Sequence, residues 1–183
     1  MIWKGHSVLK SETEVTRPDE GTVRLERLLP AERDRVWQYI VDPELRVTWL
    51  AGGKLDEHVG GTIDLQFDHS RITSEPEPDF ASEVPKRQPG TVLAFDPPRL
   101  LSYTWGEWFG QNAVVTFELE AEGDHTRLIV THSKVTALNI IPDVAINWTG
   151  HLDALEDKLR GGTGDGFWSN LGELREHYES ERA

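Results

Sequence analysis

The apolar positions of the chain follow two periods, an alternation through most of its length and a three-to-four spacing in a few stretches. Val23, Leu25 and Leu29 alternate with Arg24 and Glu26, which predicts a half-buried strand ending at Pro30, with Arg27 breaking its inward face. Val36, Trp37, Ile40 and Val41 make one stripe of a short helix over 31–41, while Glu32, Arg33 and Asp34 face out. Asp42-Pro43 stops that helix and starts a second over 44–50, with Pro43 at the favoured first position and Gly52-Gly53 at its end. After Gly60-Gly61, Ile63, Leu65 and Phe67 alternate with Thr62, Asp64 and Gln66. Residues 73–89 carry Pro76, Pro78, Pro85 and Pro89 among charges and read as a long exposed loop. Segments 92–95, 101–105, 113–119 and 128–132 then read as strands, with turns at Asp96-Pro97-Pro98 and Glu122-Gly123-Asp124. Almost no helix separates them, so the connections are those of an antiparallel meander.

The last large element changes period. Ile141, Ala145, Trp148, Leu152, Leu155 and Leu159 recur at steps of 4, 3, 4, 3 and 4, between Pro142 and the Gly161-Gly162 pair. This predicts an amphipathic helix of roughly 18 residues, about 27 Å long. Residues 1–21 read as an arm or an extra edge strand, 22–160 as the domain, and 161–183 as a hinge with a short terminal helix over 168–178. A curved antiparallel sheet around the long helix, with two short helices after the first strand, is the economical way to bury both apolar faces. The fold class is α+β.

Several segments, in this order, resemble a known family. They are Leu29-Pro30-Ala31-Glu32-Arg33-Asp34-Arg35-Val36-Trp37, Asp42-Pro43-Glu44 followed by Trp49, Gly60-Gly61, and Pro89-Gly90-Thr91-Val92-Leu93. Next come the run from Asp96 to Trp105, Thr126-Arg127-Leu128 with Thr131-His132-Ser133, and Asn147-Trp148-Thr149-Gly150-His151-Leu152. Order and spacing are similar to the START-like (SRPBCC, helix-grip, Bet v 1-like) superfamily, in its activator of Hsp90 ATPase homologue 1-like branch. The arm before Thr22 and the tail after Gly161 fall outside the pattern. The resemblance is to one-domain members, without the second domain of the eukaryotic co-chaperone. It implies a cavity between sheet and long helix, used across the superfamily for hydrophobic ligands and sometimes for catalysis, and no signature catalytic residue.

Composition narrows the function classes. Nineteen Lys and Arg against thirty-two Asp and Glu leave a net charge of −13 over 183 residues. That balance works against nucleic acid or an anionic membrane as partner, since both demand a basic footprint. With no Cys, disulfides, thiolate metal sites and thiol nucleophiles are excluded. The first ten residues do not read as a signal peptide and no apolar run is long enough to span a bilayer, so the expectation is a cytoplasmic protein, monomer or homodimer.

The candidate chemistry is sparse. The histidines are scattered, without His-x3-His or His-Glu-x-x-His spacing, so neither a metal nor another cofactor is expected. Asp153, Glu156 and Asp157 on the long helix suit a solvated face rather than an acid–base pair. Gly162-Thr163-Gly164-Asp165-Gly166 follows a helix and lacks the Lys of a phosphate loop, so it reads as a hinge. Aromatic residues carry the strongest signal: Trp37, Trp49, Trp105, Trp108, Phe109 and Trp148 come from elements that a helix-grip arrangement brings together. With Tyr103, His132 and His151 they form the candidate ligand-binding set, His132 sharing a strand face with Leu128 and Val130. The leading expectation is a domain binding a small hydrophobic or amphipathic ligand, without assigned catalytic residues. A chaperone-linked protein-interaction module and a cyclase-like or hydrolase-like enzyme are the alternatives. An internal cavity above about 300 Å3 favours a ligand site, and a filled core with an exposed apolar patch favours a protein partner.

Overall fold

The computed structural model describes residues 3–4, 11–81, 86–106 and 112–180. Strands β1 (Trp3–Lys4), β2 (Thr13–Thr16) and β3 (Val23–Leu29) precede helices α1 (Arg33–Val41) and α2 (Pro43–Arg46). Then come β4 (Thr62–Gln66), β5 (Arg87–Asp96), β6 (Leu100–Thr104), β7 (Val114–Glu122) and β8 (His125–Ser133), followed by the long helix α3 (Ile141–Leu159) and α4 (Phe167–Ser180). The strands form one antiparallel sheet in the order β1-β2-β3-β8-β7-β6-β5-β4, so the helix-grip α+β architecture holds. β3 meets β8 with Val23 opposite His132 and Leu25 opposite Val130. Across β7 the same rows continue through Val115 and Phe117 into Tyr103 and Leu101 of β6. Those rows are the inner face, and α3 lies on it.

Two elements depart from their sequence patterns. α2 closes at Arg46 instead of running to Leu50. The Arg46 side chain, 1% exposed, draws the following loop back on itself by donating to the carbonyls of Ala51, Gly52 and Gly53, and to those of Ile40 and Val41 at the end of α1. β5 begins at Arg87, inside the stretch read as loop, because its first half pairs with β4 (Leu65 opposite Gln88) and only its second half with β6.

The long helix matches its stripe. Leu152 and Leu155 are fully buried, as the periodicity requires. Replacing Leu155 with Ala should cost about 2–5 kcal/mol in urea denaturation; a loss under about 0.5 kcal/mol would mean that α3 does not close the core. The polar side of α3 is not the solvated face its carboxylates suggest. Glu156 is wholly buried and accepts from the backbone and hydroxyl of Ser11 at 3.0–3.1 Å, with Arg160 at 2.8 Å. Arg27, the residue that breaks the strand pattern, is the reason. It is 2% exposed on the inner face of β3, 2.7 Å from Asp153 and 3.4 Å from Glu156, with its Nε donating to the Thr13 hydroxyl. A buried guanidinium must be paired, and these partners tie β2 and β3 to the helix.

Candidate functional site

Between the inner face of the sheet, α3 and α4 lies a cavity of about 80 Å3. Its sheet wall is Phe67, Gln88, Trp105 and His132; α3 supplies Val144, Trp148 and His151; α4 supplies Phe167, Trp168, Leu171 and Arg175; and His69 and Phe80 come from the connection between β4 and β5.

The position of α4 is set by three devices. Gly150 in α3 leaves room for Leu171, since a Cβ there would sit 2.6 Å from the Leu171 Cδ1. The linker turns at Gly164 (φ +86°), whose N–H donates to Asp157 and whose side-chain position is filled by the Ile72 carbonyl. Glu75, from the stretch read as a long exposed loop, caps the first turn of α4. Its carboxylate accepts from Trp168 N at 2.8 Å and from the Ser169 hydroxyl; the Ser169 hydrogen bond, together with the backbone donors, holds that carboxyl below its ordinary range. At the rim Arg175 pairs with Asp143 at 3.0 Å and lies 4.8 Å over the Phe80 ring.

Besides Gln88, Asn147 and Arg175 the polar groups of the cavity are three imidazoles, and burial keeps each of them neutral. Desolvation lowers His132 to about 3 and His151 to about 3, His151 also through its neighbour His69. It lowers His69 to about 4, helped by Lys86. Two tautomers follow from their partners. The Trp148 indole can only donate, so the His132 Nδ1 that it reaches at 3.2 Å is the acceptor and the proton sits on Nε2. The Trp49 carbonyl can only accept, so His151 Nδ1, 2.7 Å away, carries its proton and Nε2 is a bare acceptor. His69 stacks on His151 and on Phe167 at 5.9 and 5.8 Å, its Nδ1 buried without a hydrogen-bond partner among the described residues.

Of the candidate ligand-binding residues, Trp105, His132, Trp148 and His151 line this cavity together. Trp105 and Trp148 meet edge to face at 5.6 Å. The other described candidates lie behind the wall. Tyr103 stacks beneath Trp105 at 6.1 Å and is fully buried, which raises its phenol well above the ordinary value. Trp49 packs on Phe117 and donates from Nε1 to the Tyr39 carbonyl. Trp37 is buried against Phe95. Trp108 and Phe109 fall outside the described residues. Sequence reading missed His69, Phe67 and the α4 wall. The alternation at Phe67 and the apolar spacing of Phe167, Trp168 and Leu171 were visible, but nothing local says which cavity they face.

Among the described residues no cluster of three or more His, Asp or Glu side chains could hold a metal ion, and no helix is long and apolar enough to cross a membrane.

Known proteins with this architecture are numerous. The structure is similar to the protein encoded by gene BPP1335 of Bordetella parapertussis, 36% identical, with 96% of this chain and 89% of that one aligned at a TM-score of 0.75. CalU16 from Micromonospora echinospora is 21% identical, with 98% of this chain and 96% of that one covered at a TM-score of 0.66. DynU16, a protein in the dynemicin biosynthetic locus, is 20% identical over 80% of this chain and 50% of its own, with a TM-score of 0.63. The latter two share the fold. No curated protein sequence matches the chain. Residues 30–160 match the family model described as Activator of Hsp90 ATPase homolog 1-like protein. That segment contains α1 through α3 and most of the sheet, so the chain belongs to the Activator of Hsp90 ATPase homolog 1-like family, within the START-like helix-grip superfamily.

Proposed function

We propose that the protein binds a small hydrophobic or amphipathic molecule in the cavity between sheet, α3 and α4. The carrying observation is the wall itself: aromatic rings from five separate segments surround a void whose three imidazoles are held neutral, the usual make-up of a ligand pocket. At about 80 Å3 the void is smaller than the ~300 Å3 of ordinary ligand clefts and than the roughly 150 Å3 that admits a benzene ring. Occupancy therefore requires a wall to yield. The wall suited to this is α4, which lies beyond residues 30–160, follows a glycine-rich linker, and is secured at its start by one carboxylate.

Native mass spectrometry of freshly purified protein, with titration of a panel of fatty acids, flavonoids and polyketide-like aromatics followed by tryptophan fluorescence, tests the reading. A co-purified small molecule or saturable quenching at one equivalent is expected. Trp148→Ala should weaken binding strongly and His132→Gln modestly, because apolar contact supplies most of the affinity. Silence across the panel with no co-purified mass overturns the reading.

Glu75→Ala examines the α4 wall separately. Loss of the cap should cost about 0.5–2 kcal/mol and should speed association of whichever panel member binds. An unchanged association rate would place the access route elsewhere.

A further inference from the structure

His69 and His151 are the cavity's polar pair, 7% and 9% exposed and stacked within 5.9 Å of each other. Their hydrogen-bonding states differ. His151 is fixed by the Trp49 carbonyl as an Nε2 acceptor. His69 has no side-chain hydrogen bond among the described residues to fix its tautomer, and its Nδ1 is a buried polar atom left unmatched. Such an atom is costly to bury unless something in the cavity satisfies it. One imidazole thus requires a donor, and the other is free to present its own N–H. A hydroxyl group answers both at once, donating to His151 Nε2 and accepting from His69 Nδ1–H.

The surroundings limit charge. Apart from Arg175 every lining residue is uncharged, and Arg175 already faces Asp143 at the rim. A carboxylate driven in beside the histidines would lose its hydration, and the nearby cations are already paired, Arg175 with Asp143 and Lys86 with Glu77. Around the pair stand rings, with Phe167 at 5.2 Å from His151 and Trp168 at 4.8 Å from His69.

We infer that the ligand is an uncharged aromatic molecule bearing a hydroxyl, its ring packed against Phe167 and Trp168 and its hydroxyl bridging His69 and His151. The inference rests on the cavity being a ligand site. A site that hydrogen-bonds a hydroxyl rejects the analogue lacking it far more strongly than an apolar slot distinguishes shapes, because its own polar atoms are left unpaired.

The test is calorimetric titration of the full chain at neutral pH with three probes of one shape, 2-naphthol, 2-methoxynaphthalene and 2-naphthoate. The naphthol is expected to bind at one equivalent, the methyl ether at least tenfold more weakly, and the carboxylate not measurably. His151→Phe should bring naphthol and ether to equal affinity. Because that variant strands the Trp49 carbonyl and can fail to fold, His69→Phe is the second. It breaks no side-chain hydrogen bond among the described residues and should reduce the naphthol preference several-fold while leaving the ether unchanged. Equal binding of naphthol and ether by the wild type, or tighter binding of the carboxylate, overturns the hydroxyl inference and leaves the cavity reading intact. No binding of any probe, together with silence across the broader panel, overturns both.

Discussion

Acidification from pH 7.5 to pH 5 should unfold the protein. His69, His132 and His151 are neutral in the folded chain, lowered to about 4, about 3 and about 3, chiefly by desolvation. Unfolded, each returns to the ordinary value near 6.5. Between those limits the unfolded state binds more protons than the folded one, so stability rises with pH. Their contribution is complete above about pH 6.5 and is lost as pH falls towards the folded values. At pH 5 each histidine has surrendered about 2 kcal/mol, and the three together about 6 kcal/mol, comparable with the whole stability of an ordinary domain. Circular dichroism across pH 7.5 to 4 should show a cooperative transition near pH 5, shifted to lower pH in His132→Gln. A fold that survives unchanged to pH 4 would mean that water or ions reach the imidazoles.

Arg46→Met should be among the most damaging single substitutions, at a cost of at least about 4 kcal/mol. Its guanidinium answers five backbone carbonyls, at 3.3 and 3.1 Å on Ile40 and Val41 and at 3.0, 3.4 and 2.6 Å on Ala51, Gly52 and Gly53. No carboxylate pairs with it by hydrogen bond or ion pair among the described residues; burial lowers its pKa, opposed by electrostatic interaction with Tyr103 and Asp42. Methionine keeps the length of the side chain and removes every donor, so the carbonyls closing the first helix lose their partners. The effect passes on to the cavity, because this loop positions Trp49, whose carbonyl fixes the His151 tautomer. Arg46→Lys retains the charge but lacks the fork needed for both groups of carbonyls, and should fall between. A cost below about 1 kcal/mol for Arg46→Met in urea denaturation would show that water replaces the guanidinium there.

The alternating and helical periods located the strands and the long helix because those patterns record burial on one face, a local property of the chain. What the periods did not contain was the pairing of polar residues far apart. Glu156 looks solvated on a helical wheel, yet its partners are Ser11, 145 positions earlier, and Arg27, 129 positions earlier. Arg27 looks like a fault in a strand until the carboxylates above it are in place. The cavity divides in the same way. Trp105, His132, Trp148 and His151 were legible because strand faces and the helix stripe point them to one side. His69 sits in a short turn, and the α4 wall depends on the close approach at Gly150; neither has a period to announce it.

The pairing of β3 with β8 also governs when the chain can fold. β3 is made early, but its inner neighbour is the last strand, and the acids that neutralise Arg27 arrive later still, on α3. As the chain leaves the ribosome, Val23, Leu25 and Leu29 have only the short β2 beside them and no covering layer until synthesis passes Leu159. Stabilising contacts are thus mostly long-range, which favours slow, all-or-none closure over sequential assembly. A nascent chain stopped after β8 would hold a sheet whose inner apolar face lacks its long helix, with an uncompensated guanidinium upon it, a species inclined to associate with its own kind or with whatever apolar surface is nearby.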